Sequence, residues 1–215
     1  MNAPSARARS ASAASSALTR AALADAAGAI RGRPVSFQVW ADEEAAVAQQ
    51  ATDIAALGPN VFAKVPIVNS AGASNISVIA RLVAEGVKVN ATAVFTREQI
   101  DGLRDAVRGI ISPELPLIIS VFSGRIGDTG VDPRPTIRYA IEAFAQVPSA
   151  KILWAGCKDV VAISAARAEG CHIITVPGDI LQRFVSRKGM DLHELSIDTA
   201  KMFRKEALDG GLSVS

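Results

Sequence analysis

The 215-residue chain carries 23 basic and 21 acidic side chains, which give a formal net charge of +2. This balance gives no reason to expect a nucleic-acid or an anionic-membrane partner, and no run of about 18 apolar residues predicts a membrane span. The apolar fraction is 49%, only 5% of the residues are aromatic, and two cysteines do not make a disulfide framework. These values predict a reduced, cytoplasmic protein with a core of Ala, Val, Ile and Leu.

The N-terminal segment differs in composition from the rest of the chain. Residues 1–20 are almost entirely Ala, Ser, Arg, Asn and Pro, and the first acidic residue is Asp25. An Arg-rich, Ser-rich and acid-poor segment is typical of an organelle transit peptide. No clear amphipathic face runs through residues 1–16, which favours a disordered leader instead. We therefore divide the chain into a leader, residues 1–16, and one β/α domain, residues 17–215.

From residue 17 onward, segments with helical periodicity alternate with short apolar segments. The predicted strands are 35–40, 61–67, 87–95, 117–122, 152–157 and 172–176. The predicted helices are 17–31, 43–57, 74–85, 96–107, 136–146, 160–169, one that begins at Asp179, and 198–208. Strands that alternate with helices of this length imply βαβ units and a parallel sheet covered on both faces. A complete eight-unit barrel needs about 250 residues, so six clear units predict an α/β fold of the (β/α)8 TIM-barrel type that is incomplete.

Lys64 lies in the middle of an apolar predicted strand, in the segment Phe-Ala-Lys-Val-Pro. Burial disfavours a charged amine and lowers its pKa, and a neutral amine can attack a carbonyl to form a Schiff base. A lysine near a strand end that reaches solvent is the commoner structural alternative.

Asn90 and Thr92 lie two residues apart on the next strand, so they share one face. Two polar side chains on an otherwise apolar face need partners or a ligand. They could hold a carbonyl, a substrate hydroxyl and a water beside Lys64, or they could only complete a polar network in the core. The strand alone leaves both interpretations open.

Two further strands end at cations. Ser120 belongs to the segment Ser-Val-Phe-Ser-Gly-Arg-Ile-Gly-Asp, in which a strand leads into a predicted Gly-containing loop that presents Arg125. Barrel enzymes place their sites at the carboxyl ends of strands, and a planar guanidinium suits a phosphate. The alternative is a surface turn in which Arg125 pairs with Asp128. Lys158 follows the next strand and could add a second charge for an anionic substrate, or it could be an ordinary solvated lysine.

These segments, in this order and spacing, resemble the transaldolase family from about residue 34 to residue 212. The resemblance rests on Lys-Val-Pro, Asn-Ala-Thr, Gly-Arg-Ile and the segment Gly-Cys-His-Ile-Ile-Thr-Val-Pro near the end of the barrel. It implies strands 3–8 of an eight-stranded barrel, with Lys64 as the Schiff-base lysine on strand 4. It also implies transfer of a dihydroxyacetone unit between sugar phosphates, as in the pentose phosphate pathway, without a metal or an organic cofactor.

The resemblance also implies the roles of the other residues. Asn90 would hold the substrate oxygen near the imine, and Thr92 would help to fix the catalytic water. Ser120 would contact the substrate, Arg125 would bind the phosphate, and Lys158 would stand where the family usually carries arginine.

The chain departs from the family pattern at several positions. An early strand that carries an aspartate and a second strand that ends in Thr-Asn-Pro are both missing. Gln38 stands where the family usually presents a glutamate, and an amide can hold the catalytic water but cannot accept its proton. After the seventh strand, Gly156 and Lys158 replace the usual Ser and Arg.

Three interpretations therefore remain. The chain is a transaldolase-type enzyme, impaired by the missing carboxylates, or a non-catalytic protein that binds sugar phosphates or another partner. Alternatively, Met1 is not the natural start, and the coding sequence upstream supplies the missing strands. Because an incomplete barrel has two free strand edges, we also expect a homo-oligomer.

Overall fold

The computed structural model describes residues 19–30 and 32–211. Residues 19–29 are helical and form α1, whereas the predicted leader, residues 1–16, lies outside the described residues. The strands that follow are β1 (Val35–Gln38), β2 (Val61–Pro66), β3 (Val89–Val94), β4 (Leu117–Val121), β5 (Ala150–Trp154) and β6 (Ile173–Ile174). The helices are α2 (Glu44–Ala55), α3 (Ile76–Ala84), α4 (Arg97–Val107), α5 (Ser123–Asp128), α6 (Arg134–Ala143), α7 (Val160–Ala168), α8 (Gly178–Arg187) and α9 (Leu192–Asp209).

The six strands form one parallel sheet in the order β1-β2-β3-β4-β5-β6. Each strand pairs with the next one along the chain, because each helical connection returns the chain to the adjacent position. The sheet is a curled half-barrel, so the predicted α/β fold and the incomplete parallel barrel are confirmed with six strands.

The two faces of the sheet have separate cores. The helix-facing side holds the larger cluster, which includes Ile119 of β4 and Leu82 of α3, both 0% exposed. In α3 the buried residues recur at the helical spacing, so one apolar stripe lies on the strands. The opposite side, called here the inner face, carries a smaller cluster of Phe62, Ile118, Leu153 and Ala155. The inner face also carries the polar residues of interest.

A bulge in β3 changes the face of the residues that follow Thr92. Ala91 and Val94 both belong to the helix-facing cluster although they are three residues apart, an odd spacing that regular alternation does not allow. The pairing with β4 shifts between these two residues, and Ala93 adopts a φ of 56°. Regular alternation puts Thr92 on the same face as Asn90, and the extra residue after Thr92 returns Val94 to the helix-facing side. A left-handed conformation is strained for alanine, and such strain is concentrated near functional sites.

Besides shifts of one to three residues at the ends of other elements, three predicted elements differ from the observed ones. The predicted loop at Arg125 is the short helix α5. The last strand has two residues instead of the predicted 172–176. The final helix begins at Leu192 and not at 198, because the carboxylate of Asp191 accepts hydrogen bonds from the backbone N–H groups of His193 and Glu194 and caps the helix.

The chain divides into two compact units, residues 1–176 and 177–215. The second unit contains α8 and α9, and α9 has no buried residue. The large exposed apolar side chains of this second unit are Leu181, Val185, Met190, Leu192, Ile197, Met202, Phe203 and Leu208. Within the described part of the chain, every helix is too short or too polar to cross a bilayer.

Candidate active site

Lys64 lies on the inner face of β2, between two neighbours in register. It is opposite Gln38 of β1 on one side and opposite Asn90 of β3 on the other. The side chain is half-buried, and this burial lowers the pKa of Lys64 below the usual lysine value. None of the ion pairs between described residues includes Lys64, so no carboxylate counteracts the effect. Lys64 therefore gives up its ammonium proton more readily than a solvated lysine, which is what a nucleophilic amine requires.

Asn90 is held by two serines. It is 2% exposed, its Nδ2 donates to Ser36 Oγ at 3.0 Å, and its Oδ1 accepts from Ser120 Oγ at 2.7 Å. Ser36 lies on β1 and Ser120 on β4, so this polar row (Ser36, Asn90 and Ser120) extends across four strands. Each bond uses only one hydrogen or one lone pair of the amide, which leaves another of each for a ligand.

Thr92 has a buried hydroxyl without a partner. The residue is 2% exposed, and its Oγ1 forms no hydrogen bond with any described residue. Buried polar groups in native proteins nearly always have a protein or water partner, so this one marks a place for a water or a ligand oxygen.

Gln38 connects the carboxyl end of β1 to the middle of β2. Its Nε2 donates to the carbonyl oxygens of Val39, at 2.9 Å, and of Lys64, at 3.0 Å. Both amide hydrogens are therefore used, and the exposed Oε1 is left as an acceptor. In this orientation Gln38 can accept a hydrogen bond from a water but cannot take its proton.

Phe122 brings two cations to one end of the sheet. Lys64 Nζ lies 5.8 Å from the centre of its ring, and the Arg125 guanidinium carbon lies 6.0 Å from it. Phe122 follows Ser120 by two residues, directly after β4, and packs on the inner-face cluster. Arg125 is exposed at the start of α5, where a phosphate could reach it.

Lys158 is already paired. Its Nζ lies 3.0 Å from Asp128 Oδ2, and both side chains are more than half exposed. Asp128 therefore pairs with Lys158, not with Arg125, the partner considered for a surface turn. The two residues also line a groove of about 460 Å³ beside α5 and α7, whose walls include neither Arg125 nor Lys64.

Gly124 and Gly156 bring α5 and the end of β5 together. Gly124 N donates to the carbonyl oxygen of Ala155 at 3.1 Å, and a Cβ on Gly124 would lie 1.8 Å from Gly156 O. Gly156 has a φ of +75°, which a serine would adopt only with strain. Glycine at 156, where the resemblance implies a serine, therefore fits the backbone observed here.

A family model described as transaldolase/fructose-6-phosphate aldolase matches residues 2–212. The chain belongs to this family. The match begins well before residue 34, where the motifs that carry the resemblance begin.

Curated relatives bear related names. A probable transaldolase of Heliobacterium modesticaldum is 31% identical over 165 residues, 76% of this chain and 71% of that protein. A probable transaldolase of Desulforudis audaxviator is 27% identical over 74% of this chain and 69% of its own length. Probable transaldolase 2 of Listeria monocytogenes is 30% identical over 71% of this chain and 65% of its own length.

The structure gathers most of the predicted site on the inner face of this transaldolase/aldolase-family fold. Five of the predicted residues share this face on four neighbouring strands. Gln38, Thr92 and Ser120 lie toward the carboxyl ends of β1, β3 and β4, whereas Lys64 lies in the middle of β2 and Asn90 is the second residue of β3. Arg125 joins them through Phe122, whereas Lys158 is held in its ion pair with Asp128.

Sequence reasoning missed two contributors to the site. The sequence assigned Phe122 no role, although its position two residues after Ser120 predicts that it lies on the same face. Ser36 lies two residues before Gln38 on β1, and the same alternation could have identified it. Its bond to Asn90 could not be predicted, because it depends on the curl of the sheet.

Proposed function

We propose that the chain forms a Schiff base between Lys64 and a ketose phosphate and transfers a dihydroxyacetone unit to an acceptor aldehyde. The observation that carries the proposal is the amine itself: Lys64 is half-buried, has a lowered pKa, and stands in register between Gln38 and Asn90. Family membership supports the same chemistry, since the matching model is named for transaldolase and fructose-6-phosphate aldolase.

The chemistry begins with the neutral amine. Lys64 Nζ attacks the ketone carbon, and the resulting carbinolamine loses water to give a protonated imine. The imine carbon is C2 of the ketose. When the hydroxyl on C4 releases its proton, the bond between C3 and C4 breaks, and its electron pair moves into the imine. The aldose leaves, and the remaining enamine attacks the carbon of the acceptor aldehyde, whose oxygen takes up a proton and becomes a hydroxyl. Water then hydrolyses the new imine, which releases the product ketose and restores the Lys64 amine. Asn90 holds the hydroxyl next to the imine carbon with its free amide hydrogen, and Ser120 fixes that amide.

Thr92 and Gln38, the residues proposed to handle the proton, can hold a water but cannot accept a proton themselves. Thr92 and Gln38 offer an orphan hydroxyl and an amide oxygen, which can hold a water that receives the proton. Neither residue is a general base, and loss of a positioned base typically lowers the rate about 100- to 10,000-fold. We therefore expect slow turnover, with Schiff-base formation less affected than the proton transfers.

The phosphate of the substrate would bind near the start of α5, at Arg125. Arg125 is exposed and offers a planar fork of donors, and Phe122 sets it near the amine. Lys158 contributes a weaker, screened attraction because Asp128 competes for it. No metal or organic cofactor takes part in this scheme.

The test is reductive trapping. Incubation with fructose 6-phosphate and borohydride, followed by mass mapping, should place the adduct on Lys64. Lys64→Met should abolish it. Lys151→Met is the matched control, because Lys151 is also a half-buried strand lysine but bonds to the Pro148 carbonyl oxygen. An adduct that persists in Lys64→Met, or no adduct in the native chain, would reject the proposal.

Gln38 favours a second candidate function: a non-catalytic protein that binds sugar phosphates. Its amide is bonded to two backbone carbonyl oxygens, so it acts in the structure as a link between strands. Calorimetry that detects binding of a phosphate ester without turnover, together with a Gln38→Glu variant that gains no activity, would favour this candidate.

We also propose that the chain works in the cytoplasm as a homo-oligomer, and that its six strands correspond to strands 3–8 of an eight-stranded barrel. In the described residues the sheet ends at β1 and β6, and unpaired strand edges are open to pairing with another chain. The exposed apolar side chains of α8 and α9 offer further surface for association. Size-exclusion chromatography with light scattering tests this: a monodisperse monomer with a sharp melt contradicts it.

A further inference from the structure

Ser36 has no assigned role, yet it lies at one end of the polar row. It is half-buried on β1 and in register with Phe62, whereas Asn90 on β3 is in register with Lys64. Strands β1 and β3 are not neighbours, since β2 lies between them. The bond from Asn90 Nδ2 to Ser36 Oγ must therefore cross the inner face of β2 between Phe62 and Lys64. It lies at the base of the Lys64 side chain.

We propose that Ser36 is a positioning residue of the site, which fixes the Asn90 amide so that its free hydrogen faces a ketone bound at Lys64. Two anchors are needed because an amide held at one end can still rotate. Ser120 holds Oδ1 at 2.7 Å and Ser36 holds Nδ2 at 3.0 Å, from opposite sides. Asn90 is 2% exposed, so few waters can replace a lost anchor.

The role predicts a dependence on the chemistry of the ketone. Dihydroxyacetone has hydroxyls next to its carbonyl that Asn90 can bind, whereas acetone has none. A fixed Asn90 should therefore accelerate capture of dihydroxyacetone but not of acetone. This kinetic part rests on the proposed Schiff base at Lys64, whereas the anchoring of Asn90 does not.

The first experiment observes the anchor directly. The side-chain amide of Asn90 is assigned in ¹⁵N NMR spectra by its absence in Asn90→Ala. Ser36→Ala should shift these signals and accelerate their hydrogen exchange, and Ser36→Thr should retain them because it keeps the hydroxyl. Ser149→Ala is the control, because Ser149 is a buried serine just before β5, outside the polar row. Unchanged Asn90 signals in Ser36→Ala overturn the proposal, whether or not the protein is an enzyme.

The second experiment measures borohydride trapping with the two ketones. Ser36→Ala should slow the adduct with dihydroxyacetone about 2- to 10-fold, the worth of one hydrogen bond, and leave the acetone adduct unchanged. In an Asn90→Ala background, Ser36→Ala should have no further effect. An equal loss with both ketones, or a loss that persists without Asn90, overturns the proposal. If the native chain traps neither ketone, the proposed function fails, and the NMR result alone decides the role of Ser36.

Discussion

The close contact between Gly124 and Gly156 predicts that a larger residue at position 124 lowers both the stability of the fold and its affinity for phosphate esters. A Cβ on Gly124 would lie 1.8 Å from Gly156 O and 2.8 Å from its carbonyl carbon. Real Cβ contacts stay beyond 3.0 Å, and the obstacle is backbone rather than a side chain that can rotate. In Gly124→Ala the two segments must therefore separate by about 1 Å, and overpacking of this kind costs about 3 kcal/mol. For a chain of this length, that corresponds to a fall in Tm of about 6–12 °C.

The same displacement should weaken binding of phosphate esters, because Arg125 follows Gly124 directly and Lys158 lies two residues after Gly156. The matched control is Gly127→Ala in the same helix, where an added Cβ meets nothing within 4 Å. Alanine in place of helical glycine should be neutral or stabilise by up to about 1 kcal/mol. Thermal denaturation and calorimetry with a sugar phosphate would measure both effects. Equal melting temperatures for the two variants would refute the reasoning.

Three further predictions concern the site. The rate of trapping at Lys64 should rise with pH and level off at a pH below the usual pKa of lysine, because burial disfavours the charged amine and lowers the pKa of Lys64. A trapping rate that keeps rising up to the usual pKa of lysine contradicts this. Thr92→Val should leave Tm unchanged or raise it, because it removes a buried hydroxyl that has no hydrogen-bond partner, while turnover falls. A lower Tm would mean that this hydroxyl does form a hydrogen bond. Asp128→Asn should release Lys158 from its ion pair and strengthen phosphate-ester binding roughly 2- to 5-fold at low salt, with little effect at high salt. Titration calorimetry at both salt concentrations measures this. An affinity that is unchanged at low salt would mean that the ion pair plays no part in binding.

The periodicity of the sequence predicted the parallel strands because each strand is a short apolar run covered on both faces. It also placed Lys64, Asn90 and Ser120 on strands, and the alternation of side chains gave the face that Asn90 and Thr92 share. It did not predict the helix at Arg125, because six residues are too few for a helical period to be read. The early start of α9 was missed because the start is decided by the cap at Asp191.

The order of residues along the chain determined which groups the site contains, since every candidate side chain already lay on or just after a predicted strand. Only the tertiary structure decided how those groups are paired: that Asn90 is anchored by Ser36 and Ser120, and that Asp128 holds Lys158 and not Arg125. It also decided that the two amide hydrogens of Gln38 are used by backbone carbonyl oxygens. The physical reason is that these contacts join strands or loops far apart in sequence, and their geometry depends on the curl and register of the sheet.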